Sequence, residues 1–173
     1  GKEIIHLEIG EPDFDTPSNI IKAGTEALRN GYTHYGPSPG FPELRKRIAE
    51  DVSVTRDIPV TADNVVVTPG GKPIMFFSIM ALVEQGDEVL YPNPGFPIYE
   101  SMIEFVGGKA VPMQLHESKD FNVDVDEVAR SITVKTKMLI LNSPNNPCGS
   151  VMAREDIRAI AGLAVKHDFI VLA

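Results

Sequence analysis

Short apolar runs alternate with amphipathic stretches along most of the chain. Glu88-Val89-Leu90-Tyr91, Ala110-Val111-Pro112-Met113, Lys137-Met138-Leu139-Ile140-Leu141 and Phe169-Ile170-Val171-Leu172 are brief and rich in branched or aromatic side chains, and they predict strands. Asn64-Val65-Val66-Val67-Thr68 predicts another, ending at Pro69-Gly70-Gly71. Helical patterns fill the gaps at 96–106, 124–132 and 154–167, with Asp124 and Glu127 spaced as a capping box. This is βαβ spacing, which predicts an α/β chain: three layers, α/β/α, around a mostly parallel sheet. Upstream, Asp15 or Thr16 caps a helix with Pro17 in its first turn, and a stripe of Ile20, Ile21, Ala23, Gly24, Ala27 and Leu28 ends at Gly31. A second helix runs from about Pro42 into the low fifties, with Leu44 and Ile48 one turn apart. The segment 72–84 is apolar nearly all round, which predicts a buried helix closed by Gly86. The first thirty or so residues, extended and proline-rich, are expected to lie outside the main sheet.

Composition narrows the function classes. A chain of 173 residues with 43% apolar and 23% charged side chains is ordinary for a soluble globular domain with a sizeable core. The net charge of −8 argues against a nucleic-acid partner. The densest basic cluster, Arg45-Lys46-Arg47, lies beside Glu43 and Glu50 on a helical pattern and reads as a solvated face. No apolar stretch reaches the roughly 18 residues of a membrane span, and Gly1-Lys2-Glu3-Ile4-Ile5-His6 lacks the apolar core of a signal peptide. A single cysteine, Cys148, excludes an intramolecular disulfide framework and fits a reducing, cytoplasmic setting. The histidines (His6, His34, His116, His167) are scattered without metal-ligand spacing, so no metal site is expected, and nothing builds a Cys–His pair.

Two polar loops are the candidates for chemistry. Asn142-Ser143-Pro144-Asn145-Asn146-Pro147-Cys148-Gly149 follows a predicted strand, where open α/β sheets place ligand-binding groups. Its amides suit a phenolic oxygen or a carboxylate, although the same residues serve an ordinary turn. Thr68-Pro69-Gly70-Gly71-Lys72 lies between a strand and a helix, where unpaired N–H groups attract an anion. It is neither a Walker loop nor a dinucleotide fingerprint, and the glycines alone are equally compatible with a tight turn.

The Asn142–Gly149 loop resembles the Asn-Pro-Thr-Gly signature of the fold-type I, pyridoxal-phosphate-dependent aminotransferases of the aspartate aminotransferase superfamily. Four further segments resemble the same family, in order: Leu7-Glu8-Ile9-Gly10-Glu11-Pro12-Asp13-Phe14; Tyr35-Gly36-Pro37-Ser38-Pro39-Gly40-Phe41-Pro42-Glu43-Leu44-Arg45; Thr68-Pro69-Gly70-Gly71-Lys72; and Gly86-Asp87-Glu88-Val89 running on to Pro92-Asn93-Pro94-Gly95-Phe96-Pro97-Ile98-Tyr99. The resemblance covers nearly the whole chain. It implies an arm and small-domain segment at 1–30 and, at 31–173, the amino-terminal part of the large domain of a pyridoxal-phosphate-dependent transferase, truncated before its end. It also implies the cofactor pyridoxal 5'-phosphate, amino acid and 2-oxo acid substrates, and a homodimer with shared active sites.

Carried over residue by residue, the resemblance puts Gly70, Gly71 and Lys72 on the cofactor phosphate, Lys72 mainly through its backbone. Phe96 goes over the pyridine ring, though by itself it reads as a core phenylalanine at a helix start. Asn146 goes to the phenolic oxygen, with Asn142 more structural and Asn145 open to either role. Gly10 lies near the substrate carboxylate, and Tyr35 reaches the neighbouring subunit's phosphate; alone, each reads equally as a turn residue. Cys148 stands where the family has threonine, which puts the loop's internal bonding in question. The chain stops at Ala173, before the aspartate, the cofactor-bearing lysine and the substrate-binding arginine of the family. No catalytic residue is therefore expected within it, and it is expected to be an inactive fragment with an exposed sheet edge. The intact protein is expected to be an aminotransferase. A β-lyase or synthase on the same scaffold, or a non-enzymatic regulator with an aminotransferase-like domain, are the alternatives.

Overall fold

A computed structural model describes residues 4–5 and 10–173. The residues Leu7, Glu8 and Ile9 of the first family-like segment fall outside that description. The chain divides into two compact units, Gly1–Val67 and Thr68–Ala173.

The second unit holds the sheet. Its elements in order are helix α3 (Lys72–Leu82), strand β1 (Glu88–Asn93), helix α4 (Ile98–Phe105), strand β2 (Lys109–Gln114), helix α5 (Val125–Ser131), strand β3 (Thr136–Ile140), helix α6 (Arg154–His167) and strand β4 (Ile170–Leu172). All strand pairs are parallel, in the order β2-β1-β3-β4. In the β1–β3 register Val89 stands opposite Met138 and Leu90 opposite Leu139, and all four side chains are fully buried. Successive strand residues face opposite sides of a sheet, so one run feeds two cores. Val89, Tyr91, Met138 and Ile140 join Ile79 of α3 and Ile103 of α4 on one face. Leu90 and Leu139 join Val128 of α5 and Ile160 of α6 on the other. The three-layer α/β/α fold and the four strands after residue 86 form as the pattern predicts.

The amino-terminal unit carries α1 (Ser18–Arg29) and α2 (Pro42–Arg56). Arg45 is mostly buried here: its Nε donates to Val65 O at 2.8 Å and an Nη to Ala62 O at 2.6 Å. Only Lys46 and Arg47 keep the solvated role read for the basic cluster. The guanidinium also explains a correction. Residues 64–68 pair with no strand among the described residues, although Val65 is extended. Their backbone is satisfied by Arg45 and by Val67 N–H donating to Pro39 O at 2.9 Å, so extended propensity here yields a braced loop rather than a ladder.

Three helix details also depart from the pattern. Pro17 is the N-cap of α1, with no capping side chain, and the α1 stripe buries nothing. Helix α3 ends at Leu82, because Val83 turns extended and inserts into the core; Gly86, at φ +89°, serves the following turn instead. Of α3 only Ile79 is fully buried, while Ile74 and Phe77 remain 48% and 58% exposed. Uniform apolarity cannot mark which helix face lies on the sheet, and one face is all that does. The Asp124 cap forms, its carboxylate accepting the N–H groups of Asp126 and Glu127.

Glu88 fastens the amino-terminal end of β1. Its buried carboxylate accepts from Lys109 Nζ at 2.8 Å and from Thr133 Oγ1 at 2.6 Å, tying β1 to β2 and to the α5–β3 turn. The Lys109 hydrogen bond first, then that of Thr133, holds its pKa below the ordinary glutamate value. A depressed folded-state pKa contributes stability above the unfolded value, and that contribution is lost as pH falls through the folded value. Glu88→Gln should therefore cost about 1–3 kcal/mol in urea denaturation at neutral pH. It should also flatten the loss of stability on acidification below the carboxylate range. An unchanged midpoint at neutral pH would remove Glu88 from this role.

Candidate functional site

The strand order fixes where a ligand can enter. From β1 the chain moves outward through α4 to β2, then returns across β1 to β3 and continues the opposite way through α6 to β4. The connections after β1 and β3 therefore diverge to opposite faces, opening a crevice between the carboxyl ends of two adjacent strands. Phe96 follows β1 and Asn146 follows β3. Both line a cavity of about 290 Å³ with Met75, Tyr99, Asn142 and Ile140. Phe96 also borders a second cavity, of about 300 Å³, with Lys72, Pro97 and Ser101. The fold thus brings Phe96, Asn146 and Lys72 to the same end of the sheet.

Each loop is held by its own chemistry. Before Phe96, a Cβ on Gly95 would lie 2.1 Å from Pro92 O, so the turn is closed to any other residue without a backbone shift. Phe96 is partly buried against the core, with its ring edge-to-face on Tyr99 at 6.1 Å and 77°. In the second loop Asn145 is the structural amide: it is buried, its Oδ1 accepts Cys148 N–H at 3.1 Å, and its backbone exchanges bonds with Gly149 and Ser150. Ser143 Oγ accepts Met152 N–H, and Ser150 Oγ donates to Phe121 O. Asn142, oriented so that both amide ends are paired, donates to Pro144 O and accepts Asn146 N–H at 3.0 Å. Asn142 thus braces the loop and also faces the cavity. Asn146 is exposed, its side chain free of this bracing. Cys148 contributes its backbone N–H to the loop, so the threonine-to-cysteine difference leaves the bracing intact.

The glycine segment is open. Gly70 adopts φ +88°, stabilised by Thr68 Oγ1 donating to Gly70 O, and Gly71 is the N-cap of α3. A Cβ on either glycine would meet nothing within 4 Å. Close approach of a ligand is sterically free here. Pro73 occupies the first turn, however, and removes one of the N–H groups that a helix N-terminus normally offers an anion.

Gly10 and Tyr35 belong to the amino-terminal unit. Gly10 is exposed with open space about it. Tyr35 is fully exposed, beside a cavity of about 290 Å³ bordered by Tyr32, His34 and Phe41. Sequence reasoning missed Tyr99 as a cavity residue. Its spacing of three from Phe96 was the available signal, since such pairs meet on one helix face.

The parallel sheet with helices on both faces is a doubly wound α/β fold, with a crevice at the carboxyl ends of β1 and β3. The chain belongs to the aminotransferase class I and II family, whose model matches residues 2–173. It is 43% identical over 173 residues to an aspartate aminotransferase of Pyrococcus abyssi, covering 99% of this chain and 44% of that protein. It is 41% identical over 169 residues to an aspartate/prephenate aminotransferase of Thermus thermophilus, covering 98% of this chain and 44% of that protein. Among solved structures it is similar to an aromatic aminotransferase from Pyrococcus horikoshii, with a TM-score of 0.90 at 41% identity, covering 94% of this chain and 44% of that one. The chain spans less than half the length of these relatives.

The bracing separates two neighbouring substitutions. Asn145→Ala should destabilise the chain by about 1–3 kcal/mol, because the Cys148 N–H loses its acceptor and a buried amide is removed. Cys148→Thr should stay within about 0.5 kcal/mol. Urea denaturation of both variants checks the contrast, and equal effects would contradict it.

Proposed function

We propose that these residues are the cofactor-holding part of a pyridoxal 5'-phosphate-dependent aminotransferase that moves an amino group between an amino acid and a 2-oxo acid. The carrying observation is the convergence of Phe96 and Asn146 on one cavity at the switch point of the sheet, with Lys72 beside Phe96 in the next. The donor set fits the group. An aromatic face suits a pyridine ring, a neutral amide suits a phenolic oxygen, and unobstructed glycines at a helix N-terminus suit a phosphate.

When bound, pyridoxal phosphate supplies the electron sink for chemistry at the substrate α-carbon. The chain's own residues do the rest. Gly70, Gly71 and Lys72 would present main-chain N–H groups to the phosphate. Phe96 would stack on the ring and restrict its orientation. Asn146 would donate to the phenolic oxygen and favour its ionised form. Gly10 would lie near the substrate carboxylate, and Tyr35 would reach the phosphate of a second subunit, making the active form a homodimer. In this reading residues 1–30 serve an arm and small domain, residues 31–173 the large domain, and the protein acts in cytoplasmic amino acid metabolism. None of residues 1–173 is assigned the covalent lysine.

Two assays test this. Incubated with an amino acid and a 2-oxo acid, the complete protein should convert both in equal amounts. Release of ammonia without amination of the acceptor would replace amino transfer by elimination. In the complete protein stripped of any bound cofactor, pyridoxine 5'-phosphate, which lacks the aldehyde and so reports only non-covalent binding, should bind about 2- to 12-fold more weakly after Phe96→Leu or Asn146→Ala. Indifference to both substitutions would remove the cavity as the cofactor site.

A further inference from the structure

We propose that Tyr99 is a positioning residue that sets the tilt of the Phe96 ring, and with it the plane on which a flat ligand can stack. The inference deepens the cofactor reading and rests on it for the identity of the ligand. The positioning itself stands on geometry within residues 92–99.

Phe96 is constrained from two sides. On its amino-terminal side, the backbone passes Pro92 O so closely that a Cβ at position 95 would lie 2.1 Å from it, and only glycine fits. On its carboxyl-terminal side, Tyr99 N–H donates to Phe96 O at 3.1 Å, closing the turn into α4. What remains free is rotation of the Phe96 side chain, and there the Tyr99 ring meets it edge-to-face at 6.1 Å and 77°. Tyr99 cannot move aside easily. It is 5% exposed and belongs to the core cluster with Ile79, Val89 and Ile103, whereas Phe96 is only packed against that cluster. A fixed ring therefore orients a looser one. Both line the cavity that Asn146 borders. Near-perpendicular packing is a preferred arrangement for aromatic pairs, because the positive edge of one ring meets the negative face of the other.

The phenol and the ring make separable contributions. Burial alone pushes the Tyr99 phenol above its ordinary pKa, with no charged or hydrogen-bonding neighbour contributing. The edge-to-face contact lies between the two rings, so Tyr99→Phe should leave the pair intact. Tyr99→Met keeps a similar volume in the core but has no ring edge, so Phe96 should lose its fixed tilt.

The test has two arms, the first on the 173-residue chain and the second on the complete protein stripped of any bound cofactor. The first needs no ligand and uses NMR with labelled Phe96. Wild type and Tyr99→Phe should show ring-to-ring cross-relaxation between positions 96 and 99 and the same Phe96 ring shifts. Tyr99→Met should move those shifts toward averaged values while the amide signals of β1 and β3 stay in place. Absence of ring-to-ring cross-relaxation in the wild type overturns the proposal even if the methionine variant does not fold. So does a Phe96 signal unmoved by Tyr99→Met, or one moved as far by Tyr99→Phe.

The second arm titrates pyridoxine 5'-phosphate. Binding should weaken about 2- to 12-fold in Tyr99→Met and not in Tyr99→Phe. Equal binding by wild type and Tyr99→Met overturns the link from tilt to stacking while leaving the cofactor reading standing. No binding by any form, with the Phe96 signals behaving as expected, overturns the cofactor reading and supports Tyr99 as the residue that positions Phe96.

Discussion

Everything at the candidate site depends on the parallel pairing of β1 with β3. These two strands are adjacent in space but separated in the chain by α4, β2 and α5, so their pairing closes a long connection. Burial of Val89, Leu90, Met138 and Leu139 on both faces supplies the driving force, on the order of 1.5–3 kcal/mol for each large side chain removed from water. A slip of one residue would exchange the two faces and set each side chain against the wrong helices. Register thus fixes more than stability. It fixes the relative placement of the carboxyl ends of β1 and β3, which launch the Phe96 and Asn146 loops.

The two loops are made rigid by different means. The 93–97 turn relies on sterics: a carbonyl sits where any Cβ would go. The 142–150 loop relies on hydrogen bonds from short polar side chains, with Asn145 at its centre and Ser143, Ser150 and Asn142 around it. That arrangement assigns neighbouring asparagines opposite tasks. Asn145 is buried with its Oδ1 taken by the Cys148 N–H, while Asn146 is exposed on a braced backbone. It also explains why cysteine is tolerated at position 148, where the loop needs a main-chain N–H and any non-proline residue supplies one.

The strands after residue 86 were legible because each is a short apolar run flanked by turn residues, and buried parallel strands read that way. The failures have physical causes. Residues 64–68 carry strand propensity, yet Arg45 and Pro39 satisfy their backbone, a long-range event that no local pattern announces. Helix α3 is apolar all round, so its moment gave no face, and burial was overestimated. Gly86 sits at a left-handed turn, as a helix-terminating glycine would, but the helix stops earlier because Val83 is drawn into the core. Three of the five family-like segments carry Lys72, Phe96 and Asn146, which the resemblance assigns to one ligand and the fold brings to one end of the sheet. Tyr99 is both a core residue and a wall of the cavity, a double role that no local pattern marks.

The energetics of the sheet end argue that it does not bind a phosphorylated ring tightly by itself. Pro73 leaves the α3 terminus short of one donor, and a helix terminus contributes about 0.3–2 kcal/mol to an anion. Stacking on Phe96 adds about 0.5–1.5 kcal/mol, and one amide hydrogen bond from Asn146 about 0.5–1.5 kcal/mol. Together these reach about 1–5 kcal/mol, against about 8 kcal/mol for a micromolar complex. On the proposed reading, residues 68–173 would supply orientation and only a fraction of the affinity. A ring held mainly by orientation is also the case in which the tilt of its stacking partner matters most, since no strong bond overrides a misaligned plane.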